Sequence, residues 1–257
     1  MGSPSLLPQS IAYFNYLIKA KNAYGLHSPF VYDLYQQVIK KSAQFRVDQV
    51  EELRKRLFQQ RELIDVTDFK SNITKRKTVQ SIAKGSLSRP KFSSFLLLMA
   101  NYMEASAILE TGTSFGVSTA YLACSNASSV ISLEGSPVLS EMAKKNLRQL
   151  KLNKVKIITG DIHQQFLSAV ERYQPDFVFL DADHRGTVTQ KMIFDVIKYS
   201  PHVKCIVVHD IYWSKDMSNT WFQLTRDPRL RLTLDIFQAG IILPKRESPK
   251  QHFILHF

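Results

Sequence analysis

Two sets of residues in this chain stand at spacings that suit chemistry. In "ILETGTSFGVSTAYLA" (Ile108 to Ala123) an acid, Glu110, and two glycines, Gly112 and Gly116, separate an apolar run from a stretch with helical character. A strand that passes through a glycine-rich turn into a helix start exposes backbone N–H groups and the positive end of a helix dipole, a device for holding a nucleotide-type ligand. A dinucleotide fingerprint places a second glycine where this chain has Ser114, so the pattern suits a ligand without a pyrophosphate. The second set lies further on, where apolar runs end on Glu134, on Asp181 with His184 and Arg185 close behind, and on His209-Asp210. Carboxylates accept hydrogen bonds in pairs, and an imidazole exchanges a proton near neutral pH.

Those residues need elements to position them. From about residue 107 the chain alternates short apolar runs with helical stretches: "AILET" (107–111), "VISLE" (130–134), "VKIITG" (155–160), "DFVFLD" (176–181) and "KCIVVHD" (204–210). Runs this rich in Ile, Val, Leu and Phe are strands buried on both faces. Ser136-Pro137 supplies an N-cap and first-turn proline for the helix "SPVLSEMAKKNLRQL". The alternation predicts an α/β fold with a parallel sheet covered on both sides. "RLRLTLDIF", "GIILP" and "HFILHF" follow one another closely at the C-terminus, which predicts an antiparallel edge.

The first ninety residues read as a helical cap or lid, with the main domain over 91–257. "SIAYFNYLIKAKNAYGLHSPFVYDLYQQVIKK" (10–41) carries aromatics at helical spacing, broken at Gly25 and at Ser28-Pro29, and these are expected to pack onto the main domain. An amphipathic helix is expected over 47–64, and a polar loop or lid over 65–90. His27 and Ser28, at the second break, either line a substrate pocket or simply start a helix, with Ser28 as cap and Pro29 at N1.

At 257 residues and 44% hydrophobic content, one substantial core and an accessory segment are affordable. No apolar run is long enough for a membrane span and no secretory signal pattern opens the chain, so a cytoplasmic enzyme is expected. Cys124 and Cys205 each lie in apolar segments and read as buried, reduced thiols. The formal charge of +12 favours polyanions without choosing among nucleic acid, anionic lipid and phosphorylated substrates.

The glycine turn with Glu110, Gly112 and Gly116, then "SLEGSP" (132–137), then "TGDIHQ" (159–164), in order and one per strand, resembles class I S-adenosylmethionine-dependent methyltransferases over roughly 107–257. The resemblance implies a Rossmann-like, doubly wound, seven-stranded and mostly parallel sheet. It also implies a cofactor site made of Glu110, Gly112, Ser114, Gly116, Ser118, Glu134, Gly135, Asp161, Ile162 and Asp181. In it Glu134 would hold the ribose hydroxyls and Asp161 would address the adenine amino group. "LETGTSFGVST", "FLDADHR" and "HDIYWS" are similar to motifs of the metal-dependent catechol and caffeoyl-ester O-methyltransferases, and "YGLHSPFVYDLY" with "HDIYWSKDM" to a bacterial group common in Bacteroidetes.

That likeness implies methyl transfer to a hydroxyl of a small or amphiphilic aromatic acceptor. Asp181, His209 and Asp210 would stand at the family's metal positions, with Mg²⁺ or, given the imidazole, Mn²⁺, Fe²⁺ or Zn²⁺ as the ion. Equally, Asp181 could act with no metal present. His184 replaces the family's lysine base, and an unperturbed imidazole, with a pKa of about 6.5, suits the role; Arg185 would meet an anionic substrate group. Relatives are often homodimers. Two other functions stay open. The chain has "DADH" where base N-methylating enzymes carry Asn/Asp-Pro-Pro-Tyr/Phe, which disfavours them but not an RNA ribose methyltransferase. A non-catalytic, cofactor-binding module is the third reading.

Overall fold

The computed structural model describes residues 6–68, 73–245 and 249–257. In chain order the first segment comprises α1 (Leu6–Lys19), α2 (Pro29–Leu34), α3 (Asp48–Gln59), an antiparallel hairpin of β1 (Leu63–Asp68) and β2 (Ile73–Thr78), α4 (Val79–Ser86) and α5 (Pro90–Tyr102). The breaks fall where the sequence places them, with a tight turn at Ala23–Gly25 and Ser28 capping α2 ahead of Pro29. A π-helical turn, Tyr35–Lys40, continues α2.

Two expectations need correction here. The amphipathic helix stops at Gln59, so Ile64 belongs to β1. The polar stretch expected as a loop contains the hairpin and α4; Ile64 and Val66 alternate with Asp65 and Thr67 and pack on the core beneath, a period of two hidden by the polar partners. Residues 69–72 of that stretch lie outside the described residues.

The second segment alternates β3 (Ala107–Thr111), α6 (Val117–Ala123), β4 (Ser129–Glu134), α7 (Pro137–Gln149), β5 (Val155–Thr159), α8 (Ile162–Tyr173), β6 (Phe177–Leu180), α9 (Gly186–Tyr199), β7 (Cys205–His209), α10 (Lys215–Leu224), β8 (Leu232–Asp235), β9 (Ala239–Leu243) and β10 (Gln251–Ile254). The sheet runs β10-β8-β9-β7-β6-β3-β4-β5. Strands β5, β4, β3, β6 and β7 are mutually parallel, and β9 is antiparallel to β7 and β8, so the doubly wound, mostly parallel fold with an antiparallel C-terminal edge is present. It has eight strands rather than seven. The added β10 pairs parallel with β8, not antiparallel, because the chain leaves β9 where β8 begins and both β9 and β10 meet Leu232.

Period-two alternation makes the layers. Ile108, Phe177, Phe179 and Val207 point to α2 and α5, whereas Leu109, Val178, Leu180 and Val208 point to α8, α9 and α10. A third apolar cluster joins α3 and α4 to α6 and α7, tying the N-terminal segment to the sheet domain. Cys205 is buried in β7, Cys124 is half-buried, and both are free thiols. Among the described residues no helix is long and apolar enough to cross a membrane.

Helix α1 departs from expectation. Tyr16 is buried, its hydroxyl donating to the Leu255 carbonyl at 2.6 Å and accepting from the Phe257 N–H at 3.0 Å. Its apolar neighbours Ile11, Phe14 and Ile18 stay in solvent instead of packing onto the main domain.

Candidate active site

The turn after β3 is held by its backbone. Gly112 adopts φ +90°, and a Cβ there would lie 2.8 Å from the Asp181 carbonyl oxygen, so glycine is required both for the dihedral and for the approach of β6. Gly116, at φ +83°, opens α6 with its N–H on the Thr113 carbonyl. Between them Ser114, itself left-handed at φ 50°, aims its N–H at Glu134 Oε2 (2.7 Å). The Ser136 N–H takes Oε1 at 2.7 Å. Burial raises the Glu134 pKa, and these N–H donors, with that of Gly135, oppose the rise.

Glu134 thus ends β4 as a fixed carboxylate on a cavity of about 950 Å³. Gly112, Ser114, Gly135, Asp161, Ile162 and Asp181 line the same cavity. Asp161 also caps α8, accepting from the His163 N–H at 2.9 Å.

Glu110, Gly116 and Ser118 lie off the cavity wall. Glu110 sits beneath the turn, fully buried, with Oε2 accepting from Thr119 and Ser132 hydroxyls. Burial pushes its pKa up to about 8, and Oε1 has no partner among the described residues. A buried orphan oxygen below a ligand turn is what a bound amine or an ordered water satisfies.

At the other end of the cavity, the ends of β6 and β7 bring together Asp181, His184, His209 and Asp210. The Asp181 N–H is fixed by Thr111, on the carbonyl at 3.2 Å and the hydroxyl at 3.1 Å. His209 Nδ1 lies 2.8 Å from Asp181 Oδ1, its ring packed 4.8 Å from Phe92. Burial alone would lower this imidazole's pKa, but the charges of Asp181 and Asp210 outweigh it and raise it to about 9. Asp210, left-handed at φ 55°, has its own pKa raised by burial against the pull of His209 and His184. His184 Nε2 is 3.7 Å from Asp210 Oδ2, and its ring lies 5.3 Å from that of Trp213.

The residues expected at the metal positions lie together, His209 Nδ1 being 2.8 Å from Asp181 Oδ1 and 3.5 Å from Asp210 Oδ2. His184 converges on the same carboxylates, with ligand atoms of Asp181, His184 and Asp210 all within 4.8 Å of one another. Arg185, read as an anion contact, is instead folded onto Asp183 with Nη2–Oδ2 at 2.8 Å, and Asp183 also meets His163 at 2.9 Å. His27 is exposed and Ser28 accepts from the Val31 N–H; neither lines the cavity, so the helix-start reading describes them.

The crevice opens at the C-terminal ends of the strands, where the sheet order reverses between β3 and β6, the usual place for a ligand in an open α/β sheet. Residues 109–211 match a family described as a methyltransferase domain. No curated protein matches the chain. Solved structures similar in fold include the O-methyltransferase of Bacillus cereus in complex with S-adenosylhomocysteine (24% identity, 65% of this chain and 88% of that one, TM-score 0.53). The S-adenosylhomocysteine-bound Podospora anserina methyltransferase PaMTH1 is similar over 86% of this chain and all of its own length (100%), at 18% identity and TM-score 0.59. The O-methyltransferase TomG of Streptomyces achromogenes, in complex with S-adenosylmethionine, is 18% identical over 63% of this chain and 82% of its own, at TM-score 0.53.

The roof of the cavity lies outside the segment that matches the methyltransferase domain. Val66, Lys75 and Lys77 of the hairpin, with Ser86 at the end of α4 and Leu87 to Arg89 between α4 and α5, line the cavity, and the Ser86 and Ser114 hydroxyls meet at 2.9 Å. Sequence reasoning missed these wall residues. The available signal was "ITKRKT", where Lys75 and Lys77 share one face of a strand.

Proposed function

We propose that this chain transfers a methyl group from S-adenosylmethionine to a hydroxyl of a small or amphiphilic aromatic acceptor. The observation that supports this best is one cavity with two unlike ends: Glu134, fixed by main-chain donors, and an imidazole–carboxylate set at Asp181, His184 and Asp210. Glu134 has lone pairs left for the two ribose hydroxyls, and Asp161 would accept from the adenine amino group. Gly112, Ser114, Gly135 and Ile162 form the rest of the cofactor wall.

His184 would take the acceptor's hydroxyl proton, and S-adenosylmethionine, held by Glu134 and Asp161, would supply the methyl group and leave as S-adenosylhomocysteine. Catalysis of this kind is alignment plus a base. Trp213, its ring tilted 36° to that of His184 and 5.3 Å away, offers an aromatic acceptor a flat apolar surface.

A second version is favoured by the convergence within 4.8 Å. Two carboxylates and an imidazole fit Mn²⁺, Fe²⁺ or Zn²⁺ better than Mg²⁺. A divalent ion there would bind the acceptor oxygen and ease its deprotonation. His184 is then a ligand and not the base.

Calorimetric titration of S-adenosylhomocysteine, with and without Mn²⁺, tests the core of this. Wild type should bind, and Glu134→Ala should weaken binding by about 100-fold or more, the loss of two hydrogen bonds to a charged group. No binding to wild type would sink the methyltransferase reading. Methyl transfer that survives chelation would retire the metal version, and transfer to RNA ribose in place of small hydroxyl compounds would replace the acceptor class.

A further inference from the structure

We propose that α1 docks this chain on an anionic lipid surface, with the apolar side of the helix in the headgroup boundary and Lys19 and Lys21 against lipid phosphates. Ile11, Phe14 and Ile18 follow one another at i, i+3 and i+7 and are 59%, 64% and 67% exposed, and Leu17 extends the same side. A helix of a globular domain turns such a stripe inward; this one buries Tyr16 and leaves the stripe in water.

Charge selects the occupant. Residues 1–32 contain no Asp or Glu, Lys19 and Lys21 are exposed at the end of the helix, and the whole chain carries +12. A second copy would bring together two helices without acidic residues, each with the same pair of lysines at its end. An anionic bilayer accepts the apolar stripe and neutralises the lysines at once, the pattern of helices that lie in a membrane interface. No helix of the described residues spans a bilayer, so the contact is on the surface.

The placement of α1 is also directional. Lys21 donates its N–H to the Ile254 carbonyl at 2.8 Å, which puts the end of α1 at the C-terminal end of β10 and β8, the same edge of the sheet as the cavity. Tyr13 and Tyr16 pack on Phe237 with ring centroids 4.8 Å and 5.3 Å away, and the next residue, Gln238, lines the cavity. Docking through α1 therefore brings the mouth of the cavity near the lipid. If the proposed methyl transfer holds, an amphiphilic acceptor could enter from the membrane; the docking itself does not depend on that reading.

The test is co-sedimentation of the full chain with vesicles of phosphatidylcholine alone and of phosphatidylcholine mixed with phosphatidylglycerol. Binding should occur on the mixed vesicles and weaken with salt. It should fall at least about tenfold in Phe14→Glu/Ile18→Glu, and several-fold in Lys19→Glu/Lys21→Glu, which leaves the apolar stripe intact. Circular dichroism and S-adenosylhomocysteine titration of both variants report whether the fold and the cofactor site survive; a wild type that binds vesicles but not S-adenosylhomocysteine would separate the two proposals. Absence of binding to the mixed vesicles overturns the inference, as does equal binding to both kinds. So does a dimer in lipid-free solution that Phe14→Glu/Ile18→Glu dissociates without any vesicle binding by wild type.

Discussion

At one end of the cavity Glu134 is held by main-chain N–H groups of Ser114 and Ser136; at the other, His184 and Asp210 are held by one another and by Trp213. The first arrangement is set by strand register and by left-handed residues in a turn, so it moves only if the sheet moves. The second also stands on fixed strand ends, with the Asp181 N–H on Thr111 and a left-handed Asp210 donating its N–H to the Gln238 carbonyl, but the mutual placement of its imidazoles and carboxylates is set by side-chain rotamers and by charge. A part that every substrate shares can be built rigidly into the backbone, whereas the part that meets the variable partner is built from side chains that substitution can retune.

Gly112 is where the two ends touch, because its missing Cβ makes room for the Asp181 carbonyl. Gly112→Ala should have the largest effect of any single change here. The left-handed dihedral alone costs about 1–2 kcal/mol, and the 2.8 Å contact forces β3 and β6 apart. Thermal unfolding and S-adenosylhomocysteine calorimetry should both register it, as a lowered Tm and lost binding. If cofactor affinity survives while only acceptor turnover falls, the two ends are less coupled than the backbone contact implies.

His184→Ala should separate the ends instead of breaking both. As a general base, its loss should lower kcat by about 10²- to 10⁴-fold, with S-adenosylhomocysteine affinity unchanged. The rate against pH distinguishes the versions: a base leaves an acid limb that vanishes in the variant, whereas a metal ligand leaves a variant that added Mn²⁺ partly restores. A fall in cofactor affinity equal to the fall in kcat would place His184 in the rigid half.

The same division explains what was legible in the sequence. The strands, the order of Glu110, Glu134 and Asp161, and the capped start of α7 all follow from local patterns, since apolar runs, glycine and N-caps act within a few residues. The convergence of His184 on the same two carboxylates as His209 did not, because alignment to a motif fixes which strand end a residue occupies but not which way an imidazole turns. Nor was the packing of Phe92, from α5, on the His209 ring legible, since it joins residues far apart in the chain. The hairpin was hidden for a related reason: its polar face borrows the look of a loop, and its apolar face is defined by contacts with α3 and α4.

Glu110 carries the smallest effect and bears on what the rigid half costs. Its folded pKa of about 8 stands above the ordinary carboxyl value of 4.5, because burial disfavours the charge. The folded state therefore holds this proton more tightly than the unfolded chain does. Its contribution to stability is full below pH 4.5 and is lost progressively as pH rises to about 8. Glu110→Gln keeps the shape and cannot ionise, so the variant's Tm minus that of wild type should climb across this window and level off above it. Fluorimetric melts at several pH values would measure it, and a difference independent of pH would mean that the carboxyl is already charged in the fold. Repeating the melts with S-adenosylhomocysteine should flatten the climb if a bound amine or water reaches the unpartnered Oε1, because the rigid half would then be complete only when loaded.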